Sequence, residues 1–201
     1  MKTFGGWIGK AMGAAALALS LSACGINTVP TQDEQVKAAW SQVQNEYQRR
    51  ADLVPNLVNT VKGYAQQERT VLREVIEARA KATSTTVNLP PDVTSNPKAF
   101  QQYEQSQNQL TQALGRLMVV TERYPDLKSN QNFLALQSQL EGTENRIAVA
   151  RKDYIDTVQT YNTTLRTIPQ RWIAGIFYPD AKPKLTFTAA EPAQTAPRVS
   201  F

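Results

Sequence analysis

The strongest indication of the fold lies in residues 36–64, VKAAWSQVQNEYQRRADLVPNLVNTVKGY. Mostly apolar residues recur there at alternating spacings of four and three, and the pattern continues to residue 82 without a slip. This spacing is typical of a helix that packs against other helices along one stripe. The stripe consists of Val36, Trp40, Val43, Tyr47, Arg50, Val54, Leu57, Val61, Tyr64, Glu68, Val71, Val75, Ala78 and Ala82.

Pro55 falls inside this stripe. Proline removes one backbone hydrogen bond and clashes with the carbonyl four residues before it, so we expect the first helix to kink or break near Pro55. An unbroken helix over the whole stripe would be about 70 Å long, much longer than either later stripe. Folding the chain back between Arg50 and Pro55 would give segments of more comparable length.

Two more stripes follow a predicted loop at residues 83–97, which contains three prolines. The second stripe stops at Pro125 and the third stops before Pro169. The second consists of Phe100, Tyr103, Gln107, Leu110, Leu114, Leu117, Thr121 and Tyr124, and the third of Phe133, Leu136, Leu140, Thr143, Ile147, Ala150, Tyr154, Val158, Tyr161, Leu165 and Ile168. We therefore predict an all-α protein, an elongated antiparallel up-and-down bundle of about four helical segments over residues 33–178.

The composition excludes familiar kinds of catalytic site. The 201 residues include no histidine and a single cysteine. The Ser-His-Asp and Cys-His nucleophile systems, His-ligated zinc and an internal disulfide are thus ruled out. The net charge of +5 is not concentrated in a basic stripe, so we do not expect nucleic-acid binding. Our preferred prediction therefore includes no catalytic residue, no metal ligand and no cofactor.

The N-terminus reads as a lipoprotein signal peptide over residues 1–23. Lys2 and Lys10 precede an uncharged stretch at residues 11–21, which is too short to span a bilayer. Residues 21–25, LSACG, resemble a bacterial lipobox, whose cysteine accepts diacylglycerol. We expect Cys24 to become the lipidated N-terminus, followed by a linker to residue 32. A secretory signal with an incidental cysteine is the alternative. Gly25 favours the periplasmic face of an outer membrane, with the inner membrane possible.

The chain changes character near Tyr178. Residues 179–201 contain four prolines and no helical periodicity, so we predict a mobile tail. Before it, residues 171–178, RWIAGIFY, form a short apolar run. This run either caps the bundle, docks to a partner or touches a membrane, and its candidate docking residues are Trp172, Ile173, Ile176 and Phe177.

Several short motifs in order resemble the LemA family. They are RRADLVPNLV at 49–58, VKGYA at 61–65 with Glu68, ARA at 78–80, YPDLK at 124–128, NF at 132–133, LQ at 136–137, LEGTENRI at 140–147, AR at 150–151 and YN at 161–162. The resemblance extends over about residues 36–178. It implies an N-terminal membrane anchor and an extended helical bundle, and it implies no particular reaction.

Charged and polar residues on or near the stripes form a candidate interhelical polar network or partner-binding set. They are Arg50, Asp52, Asn56, Glu68, Glu122, Glu144, Arg146 and Arg151. Asn56 follows Pro55 and is expected to hydrogen-bond a carbonyl freed there. In one interpretation the acids pair with arginines between helices. In the other, Glu68, Glu122 and Glu144 form a carboxylate cluster for Ca²⁺ or Mg²⁺.

These observations favour a membrane-anchored envelope lipoprotein that is not an enzyme. It would act as a helical-bundle interaction or scaffold module, with the membrane bound through Cys24 and another envelope or membrane protein as partner. The alternative is a carboxylate-based hydrolase, or a metal-binding bundle with oxygen ligands, that uses Glu68 or Glu144.

Overall fold

The computed structural model describes residues 25–188, which are almost entirely helical. The signal peptide at residues 1–23, the lipidation site Cys24 and tail residues 189–201 lie outside the described residues. The helices are α1 Thr28–Tyr64, α2 Arg69–Val87, α3 Pro97–Thr121, α4 Pro125–Lys128, α5 Gln131–Thr164 and α6 Gln170–Phe177, with a 3-10 turn at Val93–Ser95. The predicted all-α class is confirmed. Helix α1 already begins at Thr28, so residues 28–32 are not the linker we expected.

Local sequence explains where α3 and α5 begin. Pro97 opens α3, where its missing N–H costs nothing, and the Asn96 side chain accepts a hydrogen bond from the Ala99 N–H at 3.3 Å. The Asn130 side chain accepts one from the Phe133 N–H at 3.0 Å before α5.

Helix α2 runs on to Val87, so the loop predicted from residue 83 begins later than expected. Its late threonines bond carbonyls of the preceding turn instead of ending the helix.

Of the two alternatives expected near Pro55, a kink or a break, the break does not occur, because α1 continues through Pro55 and ends at Tyr64. The chain reverses at residues 65–68 instead. Proline leaves the Ala51 carbonyl without its helical donor, and Arg79 of α2 supplies a replacement through its Nε at 2.8 Å. Asn56, expected to fill this role, is exposed. The fold-back still produces four main segments, as predicted.

One compact unit contains residues 39–156 and 185–188. Within it, residue contacts give the helix directions. Gln107 donates a hydrogen bond to Thr86, and Arg116 forms an ion pair with Glu74. The later residue of α2 thus contacts the earlier residue of α3, so the two helices are antiparallel. Glu46 meets Arg146, and Tyr64 meets Asn130, so α1 and α5 are antiparallel as well. The order is the predicted up-and-down arrangement.

The core of this unit follows the predicted stripes closely. All eight positions of the second stripe except Tyr124 are buried in α3. Apolar residues from α1 to α5 pack together, and burying each large side chain contributes about 1.5–3 kcal/mol. The largest members are Val54, Leu57, Val58, Val61, Leu72, Val75, Leu110, Leu114, Leu117, Leu127, Phe133 and Leu140.

An aromatic cluster forms a second part of this core. It consists of Trp40, Tyr47, Phe100, Tyr103, Tyr154 and Phe187, with ring centroids 5.0–6.4 Å apart in the closest pairs. Phe187 comes from the predicted mobile tail, yet its side chain is only 7% exposed. The Leu185 N–H donates to the Thr94 carbonyl at 2.7 Å. The prediction of a mobile tail therefore does not hold for its described part, residues 179–188.

The other compact unit contains residues 25–38 and 157–184. Asp33 and Lys184 form an ion pair at 2.8 Å. The Asn162 side chain binds the Lys184 backbone through both its amide nitrogen and its oxygen, each at 2.8 Å. These contacts hold Lys184 against α1 and α5. Helix α6 also belongs to this unit, and buries Ala174.

Candidate functional site

Arg50 is the centre of the predicted polar network, and its side chain is 1% exposed. A buried guanidinium is costly unless its donors are paired. Arg50 donates to the Gln107 carbonyl at 3.1 Å, the Gln107 side-chain oxygen at 2.9 Å, the Thr111 hydroxyl at 2.7 Å and Glu144 at 3.1 Å. The cation also lies 4.9 Å from the centroid of the Tyr47 ring. One side chain thus connects α1 with α3 and α5.

Two further ion pairs connect helices of the same unit. Arg146 donates from Nε to Glu46 at 3.1 Å and from an NH2 group to Thr143 at 3.0 Å. Arg151 lies 3.6 Å from Glu104 and stands over the Phe187 ring at 4.3 Å. Arginine suits such sites because its planar fork binds several acceptors at once. In this unit arginines and acids thus pair between helices at Arg50, Arg146 and Arg151.

Glu46 and Glu104 were missed by the sequence reasoning. Each is adjacent in sequence to an aromatic residue of a stripe, Tyr47 or Tyr103. Residues at the edges of a helix stripe commonly form interhelical ion pairs. That position next to the stripe was the signal available, but the sequence did not show which arginine each would meet.

The remaining predicted polar residues do not join this network. Asp52 is exposed and accepts a hydrogen bond from Gln48. Glu68 binds Arg123 and the Tyr124 hydroxyl, whereas Glu122 pairs with Lys128.

The predicted carboxylate cluster is therefore wrong. Glu68, Glu122 and Glu144 each have a different basic partner, and the structure does not bring them together. Within residues 25–188, no group of three acidic or cysteine side chains is placed to hold a metal ion.

A groove of about 470 Å³ opens beside the Arg50 network. Glu144 is the partly accessible member of the network, with 39% of its side chain exposed. Ala148 on the rim is exposed as well. The groove is lined by Tyr47, Arg50, Asn108, Thr111, Glu144, Ile147, Ala148, Arg151, Lys152 and Ile155. Three residues of the predicted set, Arg50, Glu144 and Arg151, therefore converge on one surface.

Tyrosines near this groove are held in their neutral form. Burial raises the pKa of Tyr47, which nearby Arg151 and Arg50 lower only in part. Burial also raises the pKa values of Tyr103 and Tyr154. The Tyr154 hydroxyl donates to the Leu185 carbonyl at 2.8 Å. These three hydroxyls therefore carry no charge near neutral pH.

The apolar run at residues 171–178 forms α6 and is only partly packed. Trp172, Ile176 and Phe177 are 62%, 73% and 56% exposed. Ile173, the fourth predicted docking residue, is half-buried and does not belong to this exposed set. Among the helices described here, none is long and apolar enough to cross a membrane.

The LemA family model matches residues 39–201 of the chain. Magnetosome proteins MamQ 1 and MamQ 2 of Paramagnetospirillum magneticum are each 26% identical to it over 169 residues. Those alignments cover 75% of this chain and 60% of each relative. Magnetosome protein MamQ of Magnetospirillum gryphiswaldense is 34% identical over 64 residues, 32% of this chain and 24% of the relative. The chain thus spans 60% of the length of the first two relatives.

Proposed function

The chain belongs to the LemA family, and from this we propose that it is a membrane-anchored envelope lipoprotein that works as a non-catalytic interaction or scaffold module. Residues 1–23 are removed on export, and diacylglycerol on Cys24 holds the bundle at the membrane. The LSACG sequence at residues 21–25 supports this anchor. Two or more acyl chains bind stably, whereas one gives only marginal binding.

The observation that carries the interaction role is the groove beside the Arg50 network. It joins apolar wall residues such as Ile147 and Ile155 to the polar groups of Glu144, Arg151 and Thr111. Protein partners are recognised by this combination of apolar contact area and oriented polar anchors. The ion pairs that cross between α1, α3 and α5 fix the groove's shape before a partner arrives, which lowers the cost of binding.

The partner is another protein of the envelope or its membranes, because the lipid anchor confines the groove to that compartment. Photo-crosslinking in intact cells tests this, with the photoreactive residue placed at Ala148 on the groove rim. The matched control is Val149, which is also exposed, is adjacent in sequence and does not line the groove. We expect a discrete protein adduct from position 148 and none from position 149. Identical adducts from both positions, or none from either, would rule out the groove as the binding site.

The anchor is tested by the intact mass of the purified protein. We expect a mature chain that begins at Cys24 and carries the mass of a diacylglyceryl group. A second sample replaces residues 1–23 with an ordinary cleaved secretory signal and carries Cys24→Ser, so that it is exported without lipid. This sample should leave the membrane fraction after a high-salt wash. An unmodified Cys24 in the native protein would contradict the anchor.

The contacts of Glu68 and Glu144 favour a structural role over the hydrolase alternative. Its candidate bases, Glu68 and Glu144, are occupied by Arg123 and Arg50. A general base must reach the proton that it removes, and both carboxylates already accept hydrogen bonds from arginines. The same contacts serve the bundle directly, because they connect its helices.

A further inference from the structure

Helix α6 presents an apolar face for which its own unit offers no cover. Ala174 faces inward and is buried, and Ile173 is half-buried. Trp172 and Ile176, four residues apart, lie together on the outward side of the helix, and Phe177 lies next to them. Ile168 just before the helix is also 63% exposed. Four large apolar side chains are therefore exposed within ten residues.

The start of the described chain packs directly against this helix. An ideal Cβ on Gly25 would lie 2.9 Å from the Gln170 side-chain nitrogen and 3.4 Å from Ile173 Cδ1. Residue 25 therefore contacts the inward side of α6 closely. Cys24 is the next residue toward the N-terminus, and consecutive Cα atoms are only about 3.8 Å apart. A lipid attached to Cys24 is thus joined to the chain next to a residue that contacts α6.

We propose that α6 lies on the surface of the membrane that holds the lipid anchor, with Trp172, Ile176 and Phe177 inserted at the headgroup boundary. This inference rests on the proposed lipidation of Cys24. Amphipathic helices with tryptophan and phenylalanine on one face bind lipid surfaces in this way. Tryptophan is favoured at this depth because its ring is apolar while its N–H still reaches polar groups.

The charges near α6 fit a lipid surface. Arg166, Arg171 and Lys182 are exposed, and none of the three forms an ion pair with a residue in the 25–188 range. Lys184 of the same segment is already paired with Asp33. The opposing charge in residues 166–184 is Asp180 alone. A basic excess beside an apolar face is attracted to anionic headgroups.

Contact of α6 with the membrane restricts the orientation of the unit that contains it. A lipid on a flexible N-terminus would let this unit point in any direction, whereas a lipid and an inserted helix face together restrict it. The role of α6 is therefore to orient its own unit, and the acyl chains supply the affinity.

Tryptophan fluorescence tests this in the full lipidated protein, reconstituted in vesicles of phosphatidylcholine and phosphatidylglycerol. The chain contains Trp7, Trp40 and Trp172. All samples carry Trp7→Phe, so that residues 1–23 contribute no signal whether or not they are removed. Adding Trp40→Phe leaves Trp172 as the probe, and adding Trp172→Phe instead leaves Trp40, a buried internal control at 6% exposure.

An interfacial helix buries its apolar face about 5–10 Å into the headgroup and acyl boundary, so brominated phosphatidylcholine should quench Trp172 emission about twofold. Trp40 emission should not change. Adding Ile176→Glu and Phe177→Glu should abolish the quenching of Trp172 while circular dichroism shows an intact bundle. The matched control, Val149→Glu at another exposed apolar residue, should leave the quenching in place.

The outcomes separate this inference from the anchor. Unquenched Trp172 in a vesicle-bound, lipidated protein would overturn the membrane contact of α6 and leave the anchor intact. Trp172 that is shielded only at high protein concentration, without lipid quenching, would assign the face to a second copy and also overturn it. Quenching in a chain whose intact mass shows no lipid would support the contact and refute the anchor. A chain with neither lipid nor quenching would refute both.

Discussion

Replacing Phe187 by alanine measures whether the end of the described chain is part of the core. The Phe187 ring is packed among Phe100 at 5.1 Å, Tyr154 at 5.5 Å and Trp40 at 5.9 Å between centroids. A mobile tail residue would contribute nothing to the free energy of unfolding.

The expected loss follows from this packing. Truncating a buried phenylalanine to alanine costs about 3–5 kcal/mol, because apolar contact is lost and a cavity remains. Phe187 lies near the end of the packed chain, where neighbouring residues can collapse inward or residues 185–188 can detach. The lower end of this range applies, so we expect the free energy of unfolding to fall by about 3 kcal/mol.

The assay is urea unfolding followed by far-UV circular dichroism, with an unchanged slope as the check that only stability has moved. Phe177→Ala is the matched control, since it removes the same ring from an exposed position. Its effect should stay within about 0.5 kcal/mol. If Phe187→Ala also changes stability by less than about 0.5 kcal/mol, the packing argument for residues 185–188 is refuted.

Three further predictions concern charge. Glu144→Gln leaves the Arg50 cation buried without its counter-ion and should lower the free energy of unfolding by about 2 kcal/mol in urea titration; no measurable loss would mean that water replaces the carboxylate. Burial raises the pKa of Asp33, but the ion pair with Lys184 and the neighbouring Lys37 outweigh it and lower the pKa overall. The pair therefore stabilises above the ordinary pKa of 3.8 and is lost as pH falls below it, so Asp33→Asn should flatten the stability profile in acid-titrated melting experiments. Burial raises the pKa of Tyr154, so this hydroxyl stays neutral in the folded state where an unfolded tyrosine ionises. Stability is full below about pH 10 and falls as pH rises above it; in urea unfolding measured across this alkaline range Tyr154→Phe should remove part of that fall, and an equal fall in the variant would contradict the assignment.

Hydrophobic periodicity alone predicted most of the helical surface that becomes buried. The alternating spacing from Val36 to Val61 marks the buried side of α1, and the stripe from Phe100 to Thr121 marks that of α3. Periodicity succeeds there because side chains three and four positions apart share one helix face. The lone charged position of that α1 stripe, Arg50, proved to be the buried hub of the polar network.

The helical class, the buried faces and the need to pair Arg50 could be predicted from sequence, because these depend on local spacing and on the cost of burying a charge. The end of α1 depends on a tertiary contact, since the carbonyl freed by Pro55 is satisfied by Arg79, 28 residues from Ala51. The place of Phe187 in the core also depends on tertiary contacts, since its aromatic partners come from α1, α3 and α5. Composition marked the tail as polar and proline-rich, but burial depends on the neighbours a side chain meets, and those are separated from Phe187 by more than thirty residues of chain.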